Sequence, residues 1–239
     1  MKHVVGSMDR LVLSLVIVLG VVSVSKSSAV TQPAEVVIQD IVGTASYCTD
    51  GTWQPVRKDM KLSRGAIIKT DADSTVDLLL ESSFTALRLT PNSSLRLDRL
   101  NKEAGYDTEV TETALTLLSG SIAGTQRKLA APSRFQINVA AGAITIVGTE
   151  YFVRADGAVT VVSGTVSLNY NLPGNGGSIK VTVSAGFTFD PATGQVVPTS
   201  PPYLQDIIAH ITTTKHNAQV FKVGRATLVV KPERFISPH

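Results

Sequence analysis

Few residues in this chain of 239 could do chemistry, and their spacing decides how far each can be taken. Glu81 and Glu150 are the carboxylates a glycosidase pair would draw on, but acidic residues of this kind in strand-rich sequence are ordinarily solvated. Ser163, in "VVSGTV", has Val161 and Thr165 where the Gly-x-Ser-x-Gly nucleophile turn needs glycines. A serine nucleophile also needs a base, and His210, His216 and His239 all lie near the C-terminus, forming no motif with a serine. His210 and His216 are six apart, so they do not share a helical face as an i, i+4 zinc pair does. Asp71 and Asp73 alternate as in a calcium loop but lack the later acidic ligands, and a turn between strands accounts for them better. There is no Gly-x4-Gly-Lys phosphate loop and no helix-opening Gly-x-Gly-x-x-Gly. No catalytic residue, no cofactor-binding residue, no metal ligand and no cofactor are therefore expected.

Three further residues or motifs have modest readings. Cys48 is the sole cysteine, which excludes an intrachain disulfide and reads as a small buried hydrophobe. Asn92-Ser93-Ser94 matches a short glycosylation acceptor pattern that arises often by chance. The two Gly-Thr pairs of "GTEYFVRADGAVTVVSGTV", residues 148–166, read as backbone devices for turning and stacking strands.

The elements that would position these residues begin with a targeting segment. Lys2 and Arg10 precede an apolar run from Leu11 to Val24, and Ser27-Ser28-Ala29 offers small residues for cleavage after Ala29. Residues 1–29 are expected to be a signal peptide, the alternative being an uncleaved anchor over residues 11–25. Removing them takes away Lys2, Arg10 and Lys26 against Asp9, a net +2, so the formal charge of +3 falls to +1. A nearly neutral mature chain lacks the positive field that phosphate backbones require, so nucleic acid is not an expected partner.

From Ala34 to Phe189 the chain alternates apolar and polar residues in short runs broken by turn residues, which predicts an all-β domain of eight to ten strands. Asp50-Gly51 predicts one tight hairpin, with Trp53 on its return strand, and Asp156-Gly157 predicts another, with Tyr151 and Val153 on one face and Phe152 and Arg154 on the other. "LTLLSGSI" at 115–122 aligns with "VTVVSGTV" at 159–166, and more loosely with "VTVSAGFTF" at 181–189. Each copy places a small Gly-containing corner between two strands, as in a flattened β-roll or solenoid-like sandwich whose strands bend from one sheet toward the other. The copies are irregularly spaced, so a regular β-helix is not expected. The organisation read from this is a β domain over 30–190, a Pro-rich linker over 191–202 and a short helix-plus-strand appendage over 203–239. Within the appendage, Tyr203, Leu204, Ile207, Ile208 and Ile211 recur at helical spacing, the Thr212–Thr214 run should weaken the helix, and "QVFKVGRATLVVKP" returns to strand patterning.

Taken in order, these residues resemble the FecR domain. The resemblance runs through Gly43-Thr44-Ala45, Trp53-Gln54-Pro55-Val56, the series Leu62, Gly65, Ile68, Thr70, Asp73 and Ser74, then "LRLTPNSSLRL", "ITIVGTEYFV" and "VTVVSGTVSL". It covers about residues 36–189, with departures at Ala66, Asp71 and Glu81-Ser82-Ser83. It implies an exported β module, and the framework positions expected to matter for folding are Trp53, Gly65, Gly148, Thr149, Asp156, Gly157 and Gly164. The best-known members are transmembrane regulators with an inside anti-sigma segment and a domain that meets a TonB-dependent receptor. Only ten residues precede the apolar run here, too few for the anti-sigma part, so that circuit is not carried over. The expectation is a non-enzymatic binding or sensory module, periplasmic or secreted, with an envelope protein or polysaccharide as partner and membrane contact only if the N-terminal segment stays uncleaved. The alternatives are a structural component that assembles through strand edges and, further off, a polysaccharide-active enzyme on a β scaffold.

Overall fold

The computed structural model describes residues 31–104, 109–172 and 177–227. The expected signal segment lies outside the described residues. Within them the chain writes strands mostly in pairs and changes sheet between pairs. Strand β1 (Thr31–Pro33) flanks a first sheet, β2 (Val36–Val42) enters a second, and β3 (Ala45–Cys48) and β4 (Trp53–Pro55) return to the first. Next, β5 (Lys61–Leu62) joins the second sheet and β6 (Ile67–Thr70) the first, while β7 (Thr75–Leu80) and β8 (Thr85–Leu89) pair in the second. The long hairpin of β9 (Ser94–Ala104) and β10 (Glu109–Ser119) is in the first, β11 (Ser121–Thr125) in the second, and β12 (Arg134–Val139) with β13 (Gly142–Ile146) in the first. Then β14 (Glu150–Arg154) and β15 (Val159–Ser163) lie in the second, β16 (Thr165–Asn171) and β17 (Ser178–Ser184) in the first, and β18 (Phe187–Asp190) and β19 (Gln195–Pro198) in the second. Helix α1 spans Pro201–Thr227.

The first sheet runs in the order β17-β16-β13-β12-β10-β9-β6-β3-β4 and the second β19-β18-β15-β14-β11-β8-β7-β2-β5. Strand pairs are antiparallel except β10 with β12, which are parallel because β11 crosses to the other sheet between them. Apolar residues of alternate positions meet between the sheets: Leu78, Leu87, Ile122, Tyr151, Val153 and Val161 from the second, Ile68, Leu95, Leu115, Ile137, Ile144 and Leu168 from the first.

Seven of the crossings between the sheets turn on a residue with positive φ: Gly43, Asp73, Asn92, Gly120, Gly148, Gly164 and Gly186. All three copies of the internal repeat fall on such corners. At two of the glycine corners the stacking is too close for a side chain. A Cβ at Gly120, where φ is +72°, would lie 2.6 Å from the Ser93 Cα, and one at Gly164, where φ is +83°, would lie 2.8 Å from the Gly148 carbonyl oxygen. Hydroxyls stitch the stack: the Ser121 N–H donates to Ser93 Oγ at 2.9 Å, and Thr149 Oγ1 donates to the Thr165 carbonyl at 3.0 Å.

The all-β sandwich matches the expected class, with differences of detail. Among the described residues the span from Ala34 to Phe189 holds more strands than the eight to ten expected, because single alternating runs contain corners that divide them between sheets. The Pro-rich stretch contains β19, held to β18 by an Asp190 turn in which Oδ1 accepts the Ala192 N–H at 2.9 Å. The helix does not stop near Ile211 but runs to Thr227, taking up the first part of the segment read as strand. Thr213 and Thr214 donate to the carbonyls of Ala209 and His210 at 3.0 and 2.9 Å, satisfying their hydroxyls inside the helix, and tertiary packing supplies what propensity does not. Residues 228–232 of that segment lie outside the described residues.

Candidate functional site

The middle strands of the second sheet are buried on both faces. Between the sheets they meet the core, and on their outer side α1 crosses β2, β7, β8, β11, β14 and β15. This explains the unbroken apolar run Leu78-Leu79-Leu80 in β7, where Leu78 and Leu80 face the core and Leu79 faces the other way yet is also buried. The helix meets the sheet along Ile207, Ile211, Thr214 and Ala218, an i, i+4, i+7, i+11 stripe that is buried throughout. Ile207 and Ile211 pack with Ala123 and Phe152, and Val162 and Tyr203 close the edge of this small apolar cluster. Phe152 meets the Tyr203 ring edge-on at 6.3 Å and stacks with His210 at 6.4 Å.

Beside the apolar cluster lies a buried ion pair. Arg88 of β8 donates through Nε and Nη2 to the two carboxylate oxygens of Asp77 on β7, at 2.7 and 2.6 Å, the fork matched to the carboxylate. Both side chains are almost wholly buried. The helix completes the group: Thr214 Oγ1 shares its one proton between the His210 carbonyl and Asp77 Oδ1, 3.3 Å away, and the Asn217 amide donates both to Asp77 Oδ2 and, at 3.3 Å, to Asp40 Oδ2. At the far rim Lys215 pairs with Glu150. A buried pair of this kind adds little net stability but is costly to break, so its effect is to fix where and in what register the helix docks. His210 lies half-buried in the same face, and burial first, then the Arg88 charge, hold its imidazole below the ordinary histidine range, opposed by Asp206 and Asp77. The arrangement is a polar-anchored docking face.

The residues singled out from sequence are dispersed over this frame. Glu81 and Glu150 sit at the ends of β7 and β14, three strands apart, so their backbones are about 14 Å apart across the sheet, and the register does not bring them together as a catalytic pair. His210 is in the helix interface, while His216 is exposed on another face of α1. Asp71 and Asp73 are in the β6–β7 corner and Asn92 in the β8–β9 corner. Ser163 ends β15 beside the Gly164 corner, and Cys48 is buried at the end of β3. The Asp156-Gly157 hairpin forms as read, with Tyr151 and Val153 inward and Phe152 outward beneath α1. Trp53 lies on the return strand of the β3–β4 hairpin as read, exposed at the sheet edge with the Lys69 ammonium 4.1 Å from its ring centre. A depression of about 520 Å3 beside Tyr203 includes Arg154 and Asp156, already paired with each other.

Asp77, Arg88, Thr214 and Asn217 were not singled out from the sequence. A signal existed, since "VDLL" and "LRLT" each place one charge inside an apolar strand run, and two such charges of opposite sign on neighbouring strands can form a pair.

Residues 66–167 match the family model described as FecR protein. The chain carries a FecR domain. The FecR match begins beside β6 and ends within β16, so it includes Asp77, Arg88 and Phe152, while α1, which covers them, lies beyond it. Two crystal structures of candidate anti-sigma factors from Parabacteroides distasonis ATCC 8503 are similar in part. One has 11% identity and a TM-score of 0.40, the other 13% and 0.42. Each match covers 56% of this chain and 59% of the other. No curated protein matches the chain.

Proposed function

We propose that this chain is an exported FecR-type binding or sensory module of the bacterial cell envelope, which recognises an envelope protein or polymer and has no catalytic activity of its own. The FecR domain at residues 66–167 is the observation that carries this reading. The N-terminal residues support export, since Lys2 and Arg10 precede an apolar run that ends in small residues. The module works in the periplasm or outside the cell. Among the described residues no helix is long and apolar enough to cross a membrane. The outer face of the first sheet presents polar residues, Arg96, Asn138 and Asn169 among them, alternating with the inward Leu95, Ile137 and Leu168.

The test is binding of the purified full chain to separated envelope fractions, with outer-membrane protein, inner-membrane protein and peptidoglycan assayed side by side. Saturable binding to one fraction, weakened by substitutions at Arg96, Asn138 or Asn169 that leave the melting temperature unchanged, supports the proposal. Binding to no fraction, or binding indifferent to every surface substitution, refutes it.

A further inference from the structure

The two ends of the sandwich are finished differently. At one end the edge strands are β4 and β5, of only three and two residues, and they carry Pro55 and the Lys61–Glu35 ion pair. Short strands, proline and charge are the devices by which sheet edges are kept from pairing with other chains. At the other end the edges are β17, of seven residues, and β19, of four, with Lys180 as the only charged side chain in either. Strand β17 pairs with β16 on one side, and no other strand among the described residues pairs with it. Side chains that point between the sheets are left open here. Ile179 stands opposite the core residue Tyr170, Val196 opposite the core residue Phe189, and Phe187 shares the Phe189 face, yet these three are 40%, 38% and 39% exposed. Among the described residues, no strand closes the core there.

We infer that β17 is a self-pairing edge, through which two copies of this chain join antiparallel about a twofold axis and extend the first sheet from one copy into the other. Strand geometry fixes the register. A twofold pairing that uses all seven residues of Ser178–Ser184 must be centred on Val181, which then faces its own copy. Ile179 comes opposite Val183 and Lys180 opposite Thr182, so the inward side chains continue the core across the junction and the lysines do not face each other. A twofold pairing centred one residue away would set Lys180 against Lys180, so charge and length favour the same register.

Thr182 is exposed on the outer side of the strand, so charge can be placed there without entering the core. Sedimentation equilibrium of the full chain should show a reversible dimer. Thr182→Lys, which puts like charges opposite at two symmetric positions, should raise the dissociation constant by about two- to thirtyfold, while Thr182→Glu, which puts opposite charges there, should lower it by a similar factor. Both effects should fade at high salt. A wild-type chain that stays monomeric at its highest soluble concentration overturns the inference. A dimer that responds alike to the two substitutions, or to neither, overturns it too, because it joins through another surface.

Discussion

Replacing Asp77 with alanine should release α1 from the second sheet and leave the sandwich folded. In the native chain Asp77 accepts both N–H groups of the Arg88 fork, at 2.7 and 2.6 Å, and Arg88 is only 8% exposed. Without the carboxylate the guanidinium is stranded beneath the helix, a condition that costs about 3 to 5 kcal/mol. Against it stands the apolar hold of the helix, chiefly Ile207 and Ile211, whose burial contributes about 1.5 to 3 kcal/mol each, or about 3 to 6 together. The two magnitudes are comparable, and undocking lets water reach Arg88, whereas unfolding the sandwich would sacrifice the much larger inter-sheet core. The helix should therefore leave first. Hydrogen exchange is the assay: amides of Ile207–Ala218 should exchange about a hundred- to several-thousandfold faster in Asp77→Ala, with β11 and β14 still protected. The double substitution Asp77→Leu with Arg88→Met removes both charges and should restore much of the helix protection. Unchanged exchange in Asp77→Ala, or loss of protection in helix and sandwich together, would refute the reasoning.

Other outcomes follow from the same geometry. His210 is held below its ordinary range by burial and Arg88, so the undocked helix binds a proton more readily than the docked one. Helix docking should then be complete above about pH 6.5 and weaken as the pH falls below it, and His210→Gln should abolish that dependence in the exchange assay. Gly157→Val asks a β-branched residue to adopt φ of +101° with its Cβ 2.5 Å from the Ala141 Cβ, and soluble yield should collapse; a yield equal to wild type contradicts this. Tyr151 buries its hydroxyl in the core with no hydrogen-bond partner among the described residues, so Tyr151→Phe should be neutral or stabilising in urea unfolding, and a loss above about 1 kcal/mol would show that the hydroxyl is satisfied.

Alternation and turn chemistry made much of this fold legible. The Asp156-Gly157 hairpin formed with the expected faces because a period of two permits only one inward set once Tyr151 and Val153 are buried. The repeated Ser-Gly and Ala-Gly corners were visible as a pattern, although their effect, sending the chain to the other sheet, depends on stacking against distant residues such as Ser93. The full length of α1 was not legible. Its threonines are poor helix formers, and the helix continues through them on contacts with β7 that no local window contains. The docking face was hidden for the same reason, since Asp77 and Thr214 are separated by 137 residues. Trp53 stands on the return strand of its hairpin as read, but its exposure there was not legible, because it depends on β4 being the edge of the first sheet.

The measurement that bears most directly on the proposed role is the intact mass and N-terminal sequence of the native protein, taken separately from cytoplasmic, periplasmic, membrane and medium fractions. An exported module predicts a chain that starts at Val30 and is recovered from the periplasm or the medium. A full-length chain confined to the cytoplasm would contradict export, and with it a role in reading the cell envelope.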